Sequence, residues 1–434
     1  MKPLSKAPLS PFGVVLLPIQ RFLRLEAAGG IMLMASAAAA LAWSNLHPAS
    51  YAAVLGYPIT LGAGGGAVHF TVTQVVTEAF MSVFFFVVGM EIKRELVVGE
   101  LRQLSRAALP AIAAVGGVVV PAGLYLAFTW GTPGRSGWGI PMATDIAFCI
   151  GLLTLLSGRV PRALIVFVTA LAIFDDIGGI IVIALFYGHG LRASWLAAAG
   201  GLTVLLLLMN RAYVRSWLPY AAVGVGLWYA FHAGGVHATI AGVVLGLTIP
   251  ARGRRAARDV LRDLADHTAA LAESPPDADI DAAQIATIAD GLDDLEPPLE
   301  RFIHTLHPVV AFVVMPLFAL TSAGVPVREF DLATITGPVS LGAALGLAVG
   351  KPVGIFCFAM VAVRSGVAPM PGGVSATKLL GASIIAGIGF TVALFISALA
   401  FADAPALLEQ AKVGVLLGSL VAGTIGFAVL RAAR

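Results

Sequence analysis

Residues 162–187 read Arg162-Ala-Leu-Ile-Val-Phe-Val-Thr-Ala-Leu-Ala-Ile-Phe-Asp-Asp-Ile-Gly-Gly-Ile-Ile-Val-Ile-Ala-Leu-Phe-Tyr187. Apart from Arg162 at the edge, the only charges in this run are Asp175 and Asp176, near its centre. About 20 apolar residues suffice to span a bilayer as a helix, so the stretch reads as a transmembrane helix with two adjacent carboxylates at mid-depth. Ionisable side chains are costly there, and they mark a functional site by default. The question is how many such spans surround this one, and what their charges do together.

Working outward, the whole chain has the same character. Of its 434 residues 59% are hydrophobic and 12% charged, against about 25% charged in a soluble domain; the mean hydropathy is +0.93. That excludes a soluble globule, a disordered chain, collagen and a coiled coil. A net charge of +3 argues against a nucleic-acid partner. Apolar runs of spanning length fall at about 22–44, 74–98, 107–129, 137–157, 162–187, 193–210, 216–232, 235–250, 302–323, 337–363, 373–399 and 408–431. The expected fold is an all-α polytopic membrane protein of about twelve transmembrane helices, with the lipid bilayer as its solvent. If the first span starts in the cytoplasm, 22 of the 27 Lys and Arg fall on that side and 4 on the other, with Lys351 in neither. This asymmetry follows the positive-inside rule and predicts cytoplasmic N- and C-termini. The run Ala27–Trp43 is long enough to remain as a span rather than serve as a cleaved signal peptide.

Two connections stand out. Residues 56–73 hold Gly62 and Gly64–Gly66 between two alternating, β-leaning stretches, and read as an extracytoplasmic β-hairpin. Residues 251–300 carry 12 of the 24 acidic residues and read as a solvated, partly disordered cytoplasmic loop. Cys149 and Cys357 sit in apolar runs without metal-ligand spacing, and read as small buried hydrophobes.

The charges inside the spans carry the function. Asp145 lies midway in 137–157, Asp175 and Asp176 in 162–187, and Lys351 in 337–363. Consecutive helical residues point about 100° apart. One aspartate can therefore face a water-filled pathway while the other pairs with Lys351. A purely structural ion pair between Asp175 and Lys351 is the plain alternative. The carboxylates adjoin helix breakers: Pro141 precedes Asp145, and Gly381, Gly387 and Gly389 interrupt the eleventh span before Thr391. Interrupted spans in two halves of a chain point to broken helices around a midplane site. Carboxylates, hydroxyls and freed carbonyls are hard oxygen ligands that suit sodium or lithium. If the same oxygens hold either protons or the cation, and each state can face either side, their competition gives antiport.

The stretches Met142-Ala-Thr-Asp145-Ile-Ala-Phe148, Ala172-Ile-Phe-Asp-Asp176-Ile-Gly178, Gly89-Met-Glu-Ile-Lys-Arg-Glu-Leu96, Gly235-Val-His-Ala-Thr239 and Gly350-Lys-Pro352 resemble, in order, the NhaA-type sodium/proton antiporters. The resemblance runs from about Phe22 to the last span. It implies an inverted repeat of spans three to five and ten to twelve, with spans four and eleven unwound where they cross. It implies an ion and proton site at Asp175 and Asp176, taking Na+ or Li+, with Asp145 and Thr144 beside it and Lys351 compensating charge. Glu91, Lys93, Arg94 and Glu95 would form a cytoplasmic pH-responsive cluster, joined by Glu300, His304 and His307 at the start of span nine. His237 lies in a family motif, although a histidine at a helix end also serves as a packing residue. Residues 57–72 resemble the family's dimer contact, which implies a homodimer. The implied setting is the inner cell membrane, the implied activity electrogenic, pH-regulated exchange by alternating access. No enzyme activity and no cofactor are implied. The chain departs from the family pattern at Glu78 in the cation pathway, where many members have Asp, and at Ile303, where a Glu precedes the first histidine.

Two rivals use some of the same residues. An intramembrane aspartyl protease would pair Asp145 with Asp176 across a water, but would need neither a second adjacent Asp nor a midplane Lys. A sodium-coupled solute carrier would need a further polar pocket for its substrate, and none is evident in the sequence.

Overall fold

The computed structural model describes residues 28–61, 68–156, 158–188, 190–253, 257–272, 281, 283, 286–288, 291, 295–326 and 332–433. The start of the first expected span, the hairpin tip and counted cations such as Lys2, Lys6, Arg254 and Arg328 lie outside them. In chain order come α1 (Ala28–Leu46), α2 (Pro48–Leu55), β1 (Pro58–Leu61), β2 (Val68–Thr71), α3 (Val72–Val97) and α4 (Leu104–Thr129). A 3₁₀ segment, Pro133–Met142, leads to α5 (Ile146–Leu155), followed by α6 (Arg162–Phe186), α7 (Ala193–Arg211), α8 (Trp217–Ala233) and α9 (Thr239–Thr248). Then come α10 (Ala257–Ala272), α11 (Pro298–Ser322), α12 (Pro338–Arg364), α13 (Ala376–Ile385), α14 (Phe390–Ala400) and α15 (Pro405–Ala432).

Eight of these helices are long and apolar enough to cross a bilayer, and two bent pairs raise the number to ten. The bends are 40° between Pro133–Met142 and α5, and 44° between α13 and α14. The chain is thus a multi-pass membrane protein. Of the remaining two expected spans, one matches its apolar run in length and the other is shorter. α8 has 17 residues and α9 only 10, and 10 residues rise about 15 Å, half the hydrocarbon thickness. The run 235–250 loses its first turn because Gly235 takes φ +79, and ends before Pro250. Pro removes the next helical donor and disfavours helix in the residue before it.

The described chain falls into two compact units. One runs to Leu55 and adds Ala108–Asp175 and Met315–Arg434. It contains the same series twice: a long helix, a broken span, a long helix. The first series is α4, the bent pair ending in α5, and α6 as far as Asp175; the second is α12, the α13–α14 pair, and α15. In the expected order each member of the second series comes seven spans after its counterpart in the first, an odd number, so the two series run in opposite directions as an inverted repeat. α4 and α12 meet backbone to backbone. A Cβ on Gly354 would lie 2.0 Å from the Gly116 carbonyl oxygen, and one on Gly116 would lie 2.3 Å from that of Gly354. Lipid gives helices no hydrophobic drive to associate, so contact of this closeness supplies the packing energy. At the edge of the unit, Tyr51 on α2 donates its hydroxyl to the Leu320 carbonyl at 2.9 Å, and burial pushes the phenol up to about 12.

The other unit comprises Gly56–Ala107 and Asp176–Val314. Here β1 and β2 pair antiparallel, Pro58 opposite Thr71 and Leu61 opposite Val68. Thr71 and Gln74 close a capping box that turns β2 directly into α3. α9 lies on α3 through Gly242 and Gly246, where added Cβ atoms would come within 2.1 Å of the Ser82 carbonyl oxygen and 2.5 Å of that of Phe86. Within the 251–300 segment the chain forms α10. Val260 on that helix is buried, and Leu264 packs on Gly291. The apolar spacing Val260, Leu264, Leu271 within an acidic stretch makes an amphipathic helix, which the overall charge of the loop conceals.

Candidate functional site: a buried ion pair where two spans break

Between Met142 and Ile146 the backbone is extended, with Ala143 at φ −75, ψ 148 and Asp145 at φ −87, ψ 99. Its polar groups need partners away from water, and the second break supplies them. The Asp145 N–H donates to the Ile388 carbonyl at 2.7 Å. Thr144 Oγ1 lies 3.0 Å from the Ala386 carbonyl. Thr391 donates to Asp145 Oδ2 from its backbone N–H, at 3.2 Å, and from its hydroxyl, at 2.5 Å. Asp145 Oδ1 accepts from Phe148 N–H at 3.0 Å. One carboxylate thus caps the first turns of both α5 and α14, where unpaired N–H groups carry partial positive charge.

Lys351 has the complementary place. Its ammonium donates to the Met142 carbonyl, the last of the 3₁₀ segment, and pairs with Asp175 Oδ2 at 2.8 Å. The side chains of both are fully buried. Thr144 Oγ1 also reaches Asp175 Oδ2, at 2.7 Å. Thr144 has one hydroxyl proton, so it serves Asp175 or Ala386 but not both fully. The other oxygen, Asp175 Oδ1, is buried without a hydrogen-bond partner. It faces the side of α4 at Gly117, where an added Cβ would stand 3.8 Å away. A buried acceptor without a donor suits a cation better than another anion. Among the described residues no three His, Cys, Asp or Glu side chains gather as a metal site. What gathers here is a set of hard oxygens: carboxylate, hydroxyl and main-chain carbonyl. Asp176 follows on α6 and is 6% exposed.

The profile of the family described as Na+/H+ antiporter 1 matches residues 20–430. The chain belongs to the Na+/H+ antiporter 1 family. It is 58% identical over 422 residues to a protein of Anaeromyxobacter sp. (strain Fw109-5) named Na(+)/H(+) antiporter NhaA, covering 97% of this chain and 92% of that relative. A Myxococcus xanthus protein, Na(+)/H(+) antiporter NhaA 1, is 51% identical, with 97% and 94% covered. One from Koribacter versatilis is 46% identical, with 97% and 92% covered.

In this antiporter-family chain the other residues singled out from the sequence lie at three places, all in the second unit. Toward the end of α3, Arg94 lies 3.5 Å from Glu95, and Glu95 accepts from the Glu100 N–H at 3.1 Å. Lys93 donates to the Ile249 carbonyl just past α9. α11 packs against α3, with His304 and the Arg94 guanidinium as electrostatic neighbours of His307. Glu91 has Arg94 and Glu95 as charged neighbours. Among the described residues, no hydrogen bond or ion pair joins Glu300 or His304 to that cluster. His237 stands apart, in hydrogen-bond contact with the Tyr187 carbonyl at 2.6 Å. Glu78, in a π-helical turn at Val75–Phe80, lies 3.0 Å from His232 Nδ1.

Thr391 and His232 did not figure among the candidate residues drawn from the sequence. Thr391 had a signal, a hydroxyl directly after the Gly389-Phe390 break. His232 had none, because its partner is 154 positions away in the chain.

Proposed function

We propose that this chain exchanges cytoplasmic Na+, or Li+, for external H+ at Asp175 and Asp176. The observation that carries the reading is the Asp175 carboxylate. One oxygen is held by Lys351 and Thr144, and the other is buried beside Gly117 without a donor. Family membership agrees with it. A cation drawn to Asp175 competes with Lys351 and with protons for the same oxygens. Thr144 can turn from Asp175 to Ala386 as the carboxylate changes partners. Asp145 is occupied by Thr391 and Phe148, so it stabilises the crossed half-helices rather than carrying the cation, and this disfavours an aspartyl protease built on it.

The two carboxylates accept two protons on one stroke and share one cation on the other, so the exchange is electrogenic. Alternating access follows from moving this buried site between the two sides. The protein resides in the inner membrane with both termini cytoplasmic and the hairpin outside. It acts as a homodimer through residues 57–72. The α3 and α11 cluster, with Glu91, Lys93, Arg94, Glu95, Glu300, His304 and His307, regulates exchange by pH, and His237 belongs to the same response. Purified protein in proteoliposomes with an imposed proton gradient tests the core of this. Added sodium or lithium should dissipate the gradient without any organic solute. Asp176→Asn should abolish that response while the protein still inserts; sodium-driven proton movement of normal size in that variant would overturn the mechanism.

A further inference from the structure

Glu78 and His232 come together for reasons that lie in the fold of the second unit. Glu78 is on α3 and His232 at the last turn of α8. Residue 78 is held from α8 at two levels: Trp228 Nε1 donates to its carbonyl at 3.3 Å, and His232 Nδ1 stands 3.0 Å from its carboxylate Oε2. Trp228 and His232 are four residues apart on one face of α8, their rings stacked at 5.7 Å and 8°. Phe70 of the hairpin packs against both rings, at 6.3 and 6.0 Å. The imidazole is therefore oriented from two sides, with Nδ1 turned toward the carboxylate. The side chains are 36% exposed for His232 and 31% for Glu78, while the Glu78 Oε2 that faces the imidazole is itself buried and has no hydrogen-bond donor.

An imidazole nitrogen and a carboxylate oxygen at this spacing match two ligands on one transition-metal ion. Metal–ligand bonds of about 2.0–2.2 Å at tetrahedral angles set such atoms roughly 3.3 Å apart. We propose that His232 and Glu78 form a binding site, on the hairpin face, for a divalent transition metal such as Zn2+ or Cu2+. Imidazole favours these ions, whereas Mg2+ and Ca2+ need more oxygens than one carboxylate offers. Among the described residues these are the two side-chain ligands on hand, so water completes the coordination. Bound metal ties α3 to α8 and, resting here on the exchange reading, inhibits exchange from that face.

The stacked tryptophan gives a readout that does not depend on transport. Cu2+ held by His232 sits beside Trp228 and should quench its emission saturably, with Mg2+ and Ca2+ inert. Trp228→Phe should remove the quenchable component. His232→Gln, and independently Glu78→Gln, should weaken the quenching by about 10-fold or more, the scale on which metal sites respond to losing a supporting group. In proteoliposomes, Zn2+ added on the hairpin face should slow exchange in the parent protein and spare His232→Gln at the same concentration. Saturable quenching that persists unchanged in both ligand variants would overturn the site, as would its absence in the parent protein. Quenching that follows this pattern in a protein showing no sodium-driven proton movement would uphold the site and overturn the exchange reading alone.

Discussion

Replacing Asp175 by Asn tests what the Lys351 pairing does. The two side chains meet at 2.8 Å with no exposure, so the amide keeps shape and an acceptor for Thr144 but leaves an ammonium buried without its counter-charge. Removing one partner of a buried pair costs about 3–5 kcal/mol, whereas replacing both with neutral groups of similar volume is often neutral or stabilising. Lys351→Met alone strands Asp175 and should cost a similar amount. The Met142 carbonyl loses its donor in every Lys351 variant, a further loss of about 1 kcal/mol. Asp175→Asn and Lys351→Met together should therefore be at least about 2 kcal/mol more stable than the sum of the single changes requires. The assay is thermal unfolding of the detergent-solubilised protein at fixed pH and salt, with the four proteins compared as a double-mutant cycle. Each single variant should lose roughly 5–10 °C, at up to about 2 °C per kcal/mol in a chain of this length. The double variant should recover most of that and still fail to exchange. Additive losses would show that the two groups do not stabilise one another, and the reading of Lys351 as the counter-charge would fall.

Other consequences are open to direct measurement. Thr391→Val removes the hydroxyl from Asp145 Oδ2 and should cost about 1–3 kcal/mol by leaving a buried acceptor short of a donor, read as lowered thermal stability; Thr391→Ser should retain most of it. Gly354→Val places side-chain atoms where the Gly116 carbonyl stands, so α4 and α12 must separate, and folded yield from membranes should fall sharply, with Gly123→Val on α4, where an added Cβ meets nothing within 4 Å, as an unobstructed control for bulk. Clamping the membrane potential with valinomycin should change the exchange rate; indifference to voltage would mean one-for-one exchange. Glu91→Gln, and His304→Ala with His307→Ala, should move the pH of half-maximal exchange at saturating sodium while sparing the maximal rate, because histidine changes charge between pH 5 and 8. An unmoved midpoint in both would leave the carboxylate site as the pH sensor.

Much of this architecture is legible in the sequence, because membrane insertion is a local property. A run such as 162–187 is apolar whatever it packs against, and its length alone says it can cross. Composition, spans and the mid-depth placement of Asp145, Asp175, Asp176 and Lys351 all follow from reading along the chain. So do the two breaks, since Pro141 and the Gly387-Ile-Gly389 stretch act on their own backbone. The short α9 and the helix α10 were harder to see: one is cut by a glycine turn that apolar counting ignores, the other is hidden in an acidic loop.

Pairing belongs to the tertiary structure. Nothing near Lys351 in sequence says that it meets Asp175, 176 positions earlier, rather than Asp176 or Asp145. That choice is made where the two broken spans bring the Met142 carbonyl and Asp175 within reach of one ammonium. The same holds for Asp145, whose hydrogen bonds to Phe148 and Thr391 at two helix starts come from parts of the chain distant from one another. It holds for His232, an unremarked residue at a helix end until α8 lies beside α3. A charge buried in a membrane announces itself in one dimension because its cost is local, but the group that relieves the cost is chosen by geometry in three.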